Sequence, residues 1–145
     1  MKVSVVGLGY VGFPFLVTIL DRKKNKTEIL GIEENSKIGE QKIKKIQSTK
    51  RNYFKNKKLD SLFIKNKKKF NISTNYNLAL NSDYIFICLP FNIDSKLNTN
   101  DKKYFKLIEK YYLNVKKNCT LILNSTVPPG YSTSIIKRFK KKNKF

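Results

Sequence analysis

Short apolar runs recur along the chain, separated by stretches long enough to hold a helix. The first, Lys2 to Val6, stops at Gly7 and is followed from Tyr10 to Arg22 by Val11, Phe15, Val17, Ile19 and Leu20 in a mostly apolar pattern. This predicts a buried strand, a tight turn and a buried helix. Pro14 falls in the first turn of that helix, where a missing N–H removes no intrahelical bond. The pattern then gives a second strand at Glu28 to Glu33 and a second helix from Ser36 to about Ser48. From Thr49 to Lys69 a Lys-rich stretch carries Tyr53, Phe54, Leu59, Leu62, Phe63 and Ile64 at irregular intervals, and helix is the expectation there.

Phe70 to Ser73 reads as a third strand, Asn77 to Asn81 as one helical turn, and Tyr84 to Leu89 as a fourth strand stopped by Pro90. The unbroken apolarity of that fourth strand suits a parallel strand covered on both faces. A polar loop, Asn92 to Asn100, leads to Asp101, placed to cap a helix running to about Val115 with Tyr104, Leu107, Ile108, Tyr111 and Tyr112 on its apolar face. Cys119 to Leu123 is the fifth strand. After the loop from Thr126 to Gly130, Ser132 or Thr133 is placed to cap a last helix carrying Ile135, Ile136 and Phe139. Strands and helices alternate throughout. The expected fold is α/β, a Rossmann-type doubly wound parallel sheet of order 3-2-1-4-5 with helices on both faces and ligands at the carboxyl ends of its strands.

One turn carries recognisable chemistry. In Gly7-Leu8-Gly9-Tyr10-Val11-Gly12 the first glycine permits the turn, the second lets backbone approach a pyrophosphate, and the third allows close helix-strand packing. Helix N–H groups then face the phosphates. Glycines at this spacing are weak evidence alone. Here they follow a strand, open a helix, and precede a second strand that ends in Glu33, 21 residues beyond Gly12. A carboxylate there accepts hydrogen bonds from the adenosine ribose and repels a 2′-phosphate, which favours NAD over NADP. Glu34 is a second candidate for that role, and Lys37 is placed to touch the adenosine end.

Composition narrows the alternatives. At 145 residues the chain fits one domain with a single core. It has 31 basic and 10 acidic residues, a formal +21, which brings a nucleic-acid partner into question. Only Arg22, Arg51 and Arg138 are arginines, and the lysines are scattered among asparagines in every segment, so no specific nucleic acid is expected. With no histidine and only Cys88 and Cys119, both in apolar runs, no zinc ligand set can be assembled and no metal is expected. Both cysteines are assigned to core packing in their reduced form. No apolar stretch reaches about 18 residues, and Met1-Lys2 leads straight into a strand, so a cytoplasmic protein without a membrane partner is expected.

The assembled residues resemble the UDP-glucose/GDP-mannose dehydrogenase family, whose amino-terminal domain begins with a strand and GLGYVG followed by a leucine-proline pair, here Phe13-Pro14. A second family block appears as Ser125-Thr126-Val127-Pro128-Pro129-Gly130. Between them, Ser82 to Pro90 looks like the family's strand and proline turn, and Asp101 like the aspartate opening its next helix. The resemblance covers essentially the whole chain. It implies oxidation of the C6 alcohol of a UDP-sugar to a carboxylate with two NAD in succession. It also implies a cysteine thiolate that captures the aldehyde as a hemithioacetal and passes through a thioester.

That cysteine and its lysine, glutamate and aspartate partners match nothing in these 145 residues. Residues 1–145 are therefore expected to be an NAD-binding domain, incomplete, with the UDP-sugar held by a substrate domain outside it and any oligomer formed through regions outside it. The residues implied in cofactor binding are Gly7, Gly9, Tyr10, Val11, Gly12, Glu33, Lys37, Pro90 and Thr126, and Thr126 is the one candidate catalytic residue, holding a water beside the nicotinamide. Two departures from the family pattern stand out. Phe91 and Asn92 follow Pro90 where a threonine and a second proline are usual, and Lys50-Arg51-Asn52-Tyr53 replaces a glycine-rich approach. Phe91 leaves open a nucleotide-binding module without catalysis, and the charge leaves open a basic nucleic-acid binder.

Overall fold

The computed structural model describes residues 1–22, 26–49, 54–91 and 102–142. Five strands, β1 (Lys2–Val6), β2 (Glu28–Ile32), β3 (Asn71–Ser73), β4 (Tyr84–Ile87) and β5 (Thr120–Leu123), form one sheet of order β3-β2-β1-β4-β5. All four pairings are parallel. The predicted order and strand direction are therefore those found. The range of β1 is the one expected, whereas β2 and β4 stop short of Glu33 and Leu89, and β3 and β5 begin one residue after Phe70 and Cys119. Cys88 and Leu89 lie beyond β4, and Cys119 precedes β5.

Successive side chains along a strand point to opposite faces, and the two cores follow from that alternation. Val5 and Ile29 join Phe13, Leu16, Val17, Leu20, Ile46 and Phe63 on one face. Val6, Leu30, Ile32, Ile85 and Ile87 join Tyr104, Phe105, Ile108, Tyr111, Ile135 and Phe139 on the other. Helices α1 (Gly12–Arg22), α2 (Lys37–Ser48) and α3 (Lys57–Asn66) thus cover one face, and α4 (Lys102–Asn114) and α5 (Tyr131–Lys142) the other. Among the described residues no helix is long and apolar enough to cross a membrane.

Three expectations about helix limits need correction. Tyr10 and Val11 belong to the turn and not to α1, because the first glycines hold the chain in a loop until Gly12. Of the helix expected over Thr49 to Lys69, the described residues show α3 and a 3-10 turn at Lys67–Lys69: Thr49 is extended, and Asn56 starts α3 by accepting from the Leu59 N–H at 3.1 Å. Leu59, Leu62 and Phe63 fall on one face of α3, and the residues before Asn56 do not continue that phase. Finally, α5 starts at Tyr131, ahead of Ser132 and Thr133, because Gly130 at φ +78° turns the chain directly into the helix. The polar loop at 92–100, the Asp101 cap and residues 50–53 lie outside the described residues.

Phe13, from the Phe13-Pro14 pair, is the centre of the first core. Its ring stacks on Phe54 at 5.2 Å and meets Phe63 and Phe70 at 5.8 Å each. Offset and edge-on contacts of this kind add to the energy of apolar burial. The cluster fixes α1, and with it the turn that α1 begins from, against α3.

Candidate functional site

The register of the sheet lines up its carboxyl ends. Val6 pairs with Ile32 and with Ile87, and Ile87 with Leu123. The next residue of each strand continues the ladder: the N–H groups of Gly7, Cys88 and Asn124 donate to the carbonyls of Ile32, Val6 and Ile87 at 2.8, 2.7 and 2.9 Å. Gly7, Glu33, Cys88 and Asn124 therefore emerge side by side. The β1–α1 turn, the acidic residue after β2, the Pro90 turn after β4 and the Ser125-Thr126 loop after β5 all belong to one edge. In an open α/β sheet this edge, where the strand order reverses between β1 and β4, is where ligands bind.

Gly7 adopts φ +89°, and a Cβ there would lie 2.8 Å from the Cys88 carbonyl oxygen and 2.9 Å from Leu89 Cδ2. Gly12 is more constrained, since a Cβ would sit 1.9 Å from the Gly7 carbonyl oxygen. The turn thus closes on itself and on the exit of β4. Gly9 faces the other way: a Cβ there would meet nothing within 4 Å. Tyr10 and Val11 are fully and half exposed, and no described residue takes up the N–H groups of Gly9, Tyr10, Val11 and Gly12. A row of free N–H groups at the positive end of α1, beside open space, fits a pyrophosphate.

Of the two acidic candidates, Glu33 is buried at 7% exposure and Glu34 is exposed. Glu33 Oε2 accepts from the Leu8 N–H at 3.1 Å, and Oε1 from the Glu34 N–H at 3.0 Å. The carboxylate is thereby tied to the glycine turn itself. Its charge partner is Lys42, whose ammonium lies 2.7 Å from Oε2. Lys37, the cation singled out from the sequence, is the exposed first residue of α2. Lys42 was not legible, because it is one of several lysines in a Lys-rich helix and only the phase of α2 selects it. One signal was available in Gly39, a poor helix former inside α2. A Cβ at Gly39 would come 1.9 Å from the Glu34 carbonyl oxygen, so only glycine lets α2 fold down over the acidic pair. Ser36 holds that first turn by accepting from the Gly39 N–H at 3.1 Å.

Across the edge, Pro90 and Thr126 are exposed. Ser125 beside Thr126 donates its hydroxyl to the Ile87 carbonyl at 3.2 Å, which fixes the β5 loop to the end of β4. Phe91 turns inward, edge-on to Tyr131 at 4.7 Å and to Tyr104 at 5.4 Å. Cys88 accepts from Asn124 Nδ2 at 3.6 Å, and burial pushes its thiol above the ordinary range. It is a packing residue, and Cys119, half-buried and also raised by burial, is one too. Among the described residues no group of three or more His, Cys, Asp or Glu is placed to hold a metal.

Fold and turn together define a Rossmann-type dinucleotide-binding domain. Residues 1–145 match the UDP-glucose/GDP-mannose dehydrogenase family, NAD binding domain. The chain is 31% identical over 144 residues to the UDP-glucose 6-dehydrogenase of Campylobacter jejuni, a match covering 99% of this chain and 35% of that enzyme. Among solved structures it resembles an NDP-N-acetyl-D-galactosaminuronic acid dehydrogenase from Methanosarcina mazei, with a TM-score of 0.76, 23% identity and coverage of 97% of this chain and 30% of that one. It also resembles the UDP-N-acetyl-mannosamine dehydrogenase of Staphylococcus aureus, with a TM-score of 0.74, 23% identity and coverage of 100% and 34%. The chain belongs to the UDP-glucose/GDP-mannose dehydrogenase family as its NAD binding domain, and its cofactor is NAD. It spans about a third of the length of the relatives it matches.

Proposed function

We propose that this chain is the cofactor half of a cytoplasmic dehydrogenase that oxidises the C6 alcohol of a UDP-sugar to the carboxylate, and that it binds NAD but does not turn over sugar by itself. The observation that carries the reading is the glycine turn tied to Glu33, beside the open N–H groups of Gly9 to Gly12. The C6-oxidation part rests on the family match and the Ser125–Gly130 block.

In this reading the N–H groups of Gly9, Tyr10, Val11 and Gly12 hold the pyrophosphate, and Glu33 accepts from the adenosine ribose hydroxyls. Lys42 pairs with the largely buried Glu33 carboxylate and orients it. Lys37, at the start of α2, lies on the adenosine side. Pro90 and Thr126 flank the nicotinamide end, where the Thr126 hydroxyl holds a water. NAD supplies the electrophilic ring that accepts hydride from the sugar carbon. The sugar pocket, the thiolate nucleophile and any oligomer contacts belong to a substrate domain outside these residues.

Isothermal calorimetry of the 145-residue chain tests the cofactor half of the proposal. Saturable binding of NAD, much weaker binding of NADP, and no NADH formation when a UDP-sugar is added are expected. A folded chain that does not bind NAD saturably, or prefers NADP, would sink it.

A further inference from the structure

One face of α2 carries a charge among buried positions. Gly39, Lys42 and Ile46 are spaced three and four residues apart and so share a side of the helix; Gly39 and Ile46 are buried, whereas Lys44 and Lys45 are exposed. A lysine on such a face needs a partner. Lys42 has one in Glu33, its ammonium 2.7 Å from Oε2. Gly39 brings the helix close enough for this, since a Cβ there would lie 1.9 Å from the Glu34 carbonyl oxygen and 3.4 Å from Glu33 Cγ. Glu34 does not compete for the ammonium, being exposed, with its Oε2 accepting from the Ser36 hydroxyl at 3.1 Å.

The pair has bonding capacity left. An ionised carboxylate offers about four acceptor sites, and Glu33 uses three of them, on the Leu8 N–H, the Glu34 N–H and Lys42. The remaining site suits a ribose hydroxyl. An ammonium has three donors; one of those of Lys42 goes to Glu33, and 32% of its side chain is exposed. A phosphate on the same ribose would meet a carboxylate, but also a cation 2.7 Å from that carboxylate, and a nearby basic residue is what accommodates a 2′-phosphate in this fold. The charges of Glu33 and Lys42 cancel. The carboxylate therefore disfavours a 2′-phosphate less by net repulsion than by occupying the ammonium and the space beside it.

We propose that Glu33 and Lys42 together set the choice between NAD and NADP, Lys42 being a built-in cation for a 2′-phosphate that the Glu33 carboxylate keeps occupied. The proposal rests on the reading of Glu33 as the acceptor for the adenosine ribose. Removing the carboxylate frees the ammonium, so one substitution turns a site for a ribose diol into a site for a ribose phosphate.

Calorimetry with NAD and NADP tests this. Glu33→Ser should bind NADP about 10- to 100-fold more tightly than the parent chain does, while its NAD binding falls. Adding Lys42→Met should abolish the gain, whereas adding Lys44→Met, which removes an exposed charge from the same helix, should leave it. Glu33→Gln, which keeps the side-chain length and an acceptor for the Leu8 N–H, is the second variant where circular dichroism shows Glu33→Ser unfolded, and it should gain NADP affinity in the same direction. Lys42→Met alone leaves the carboxylate charge uncancelled and should widen the preference for NAD. A folded Glu33 variant with no gain for NADP, a gain that survives Lys42→Met, or a preference that Lys42→Met alone leaves unchanged or narrows overturns the proposal. A parent chain that does not bind NAD saturably overturns the cofactor site together with this inference. A parent that binds NAD, with Glu33 variants that gain nothing for NADP, overturns only the role of Lys42.

Discussion

Glu33 shows how much a single residue has to satisfy at this site. Its carboxylate accepts from the Leu8 N–H and its own successor's N–H and pairs with Lys42, so the protein itself fixes its position. Charge-assisted bonds from a preset acceptor are the stronger kind. Glu33→Gln keeps the size and removes the charge, and NAD binding should weaken by about 1.5–3 kcal/mol, on the order of 10- to 100-fold by calorimetry. An affinity within twofold of the parent would remove Glu33 from the cofactor site. The glycines were readable as spacing because a Cβ at Gly7 or Gly12 collides with backbone, a constraint any sequence of this fold must meet. The choice between Glu33 and Glu34, and the partnership with Lys42, was not readable, because each depends on which way a side chain leaves its element.

At the scale of elements, α3 is where pattern and structure parted most. Its sequence is dominated by lysine, yet Phe63 is fully buried and meets Phe13, Phe54 and Phe70 within about 6 Å. The helix is therefore held by its packing on α1 and less by its own propensity. Phe63→Ala should cost about 3–5 kcal/mol in urea unfolding, the range for deleting a large buried ring. A loss below about 1 kcal/mol would show that α3 is only loosely docked. Strands were legible because both faces of the sheet are covered and their apolar runs are continuous. Helix starts at Gly12, Asn56 and Tyr131 were less so, since a glycine turn, a capping asparagine and a Pro-Pro-Gly loop set them through local backbone geometry.

The whole molecule is closed at the other end of the sheet by Asp83. Its backbone bonds to Lys2 and Thr120, its Oδ2 accepts from the Lys2 N–H at 2.6 Å, and Lys116 pairs with its Oδ1, which joins β1, β4 and β5. The Lys116 ammonium and the Lys2 N–H hold the carboxyl below its ordinary value of 3.8. A folded pKa below the unfolded one gives a stabilisation that is present above the unfolded value and lost as pH falls through the folded value. Stability should therefore hold from neutral pH to about pH 4 and decline below it. Asp83→Asn should lower the urea midpoint at neutral pH and flatten the acid decline; an acid limb identical to the parent's would contradict this account.

By itself the sequence determined the alternation of strands and helices, the order of the sheet and the glycine turn, because each follows from burial on two faces or from steric exclusion of a side chain. It also carried the resemblance that points to NAD and to a nucleotide sugar. Only the tertiary structure decided that Glu33 is locked to the turn with Lys42 as its counter-ion. It also decided that Phe91 joins Tyr104 and Tyr131. The reason is physical. Periodicity and spacing constrain one element at a time, whereas these contacts join residues far apart in the chain. They exist only because the parallel register brings Val6, Ile32, Ile87 and Leu123 into line.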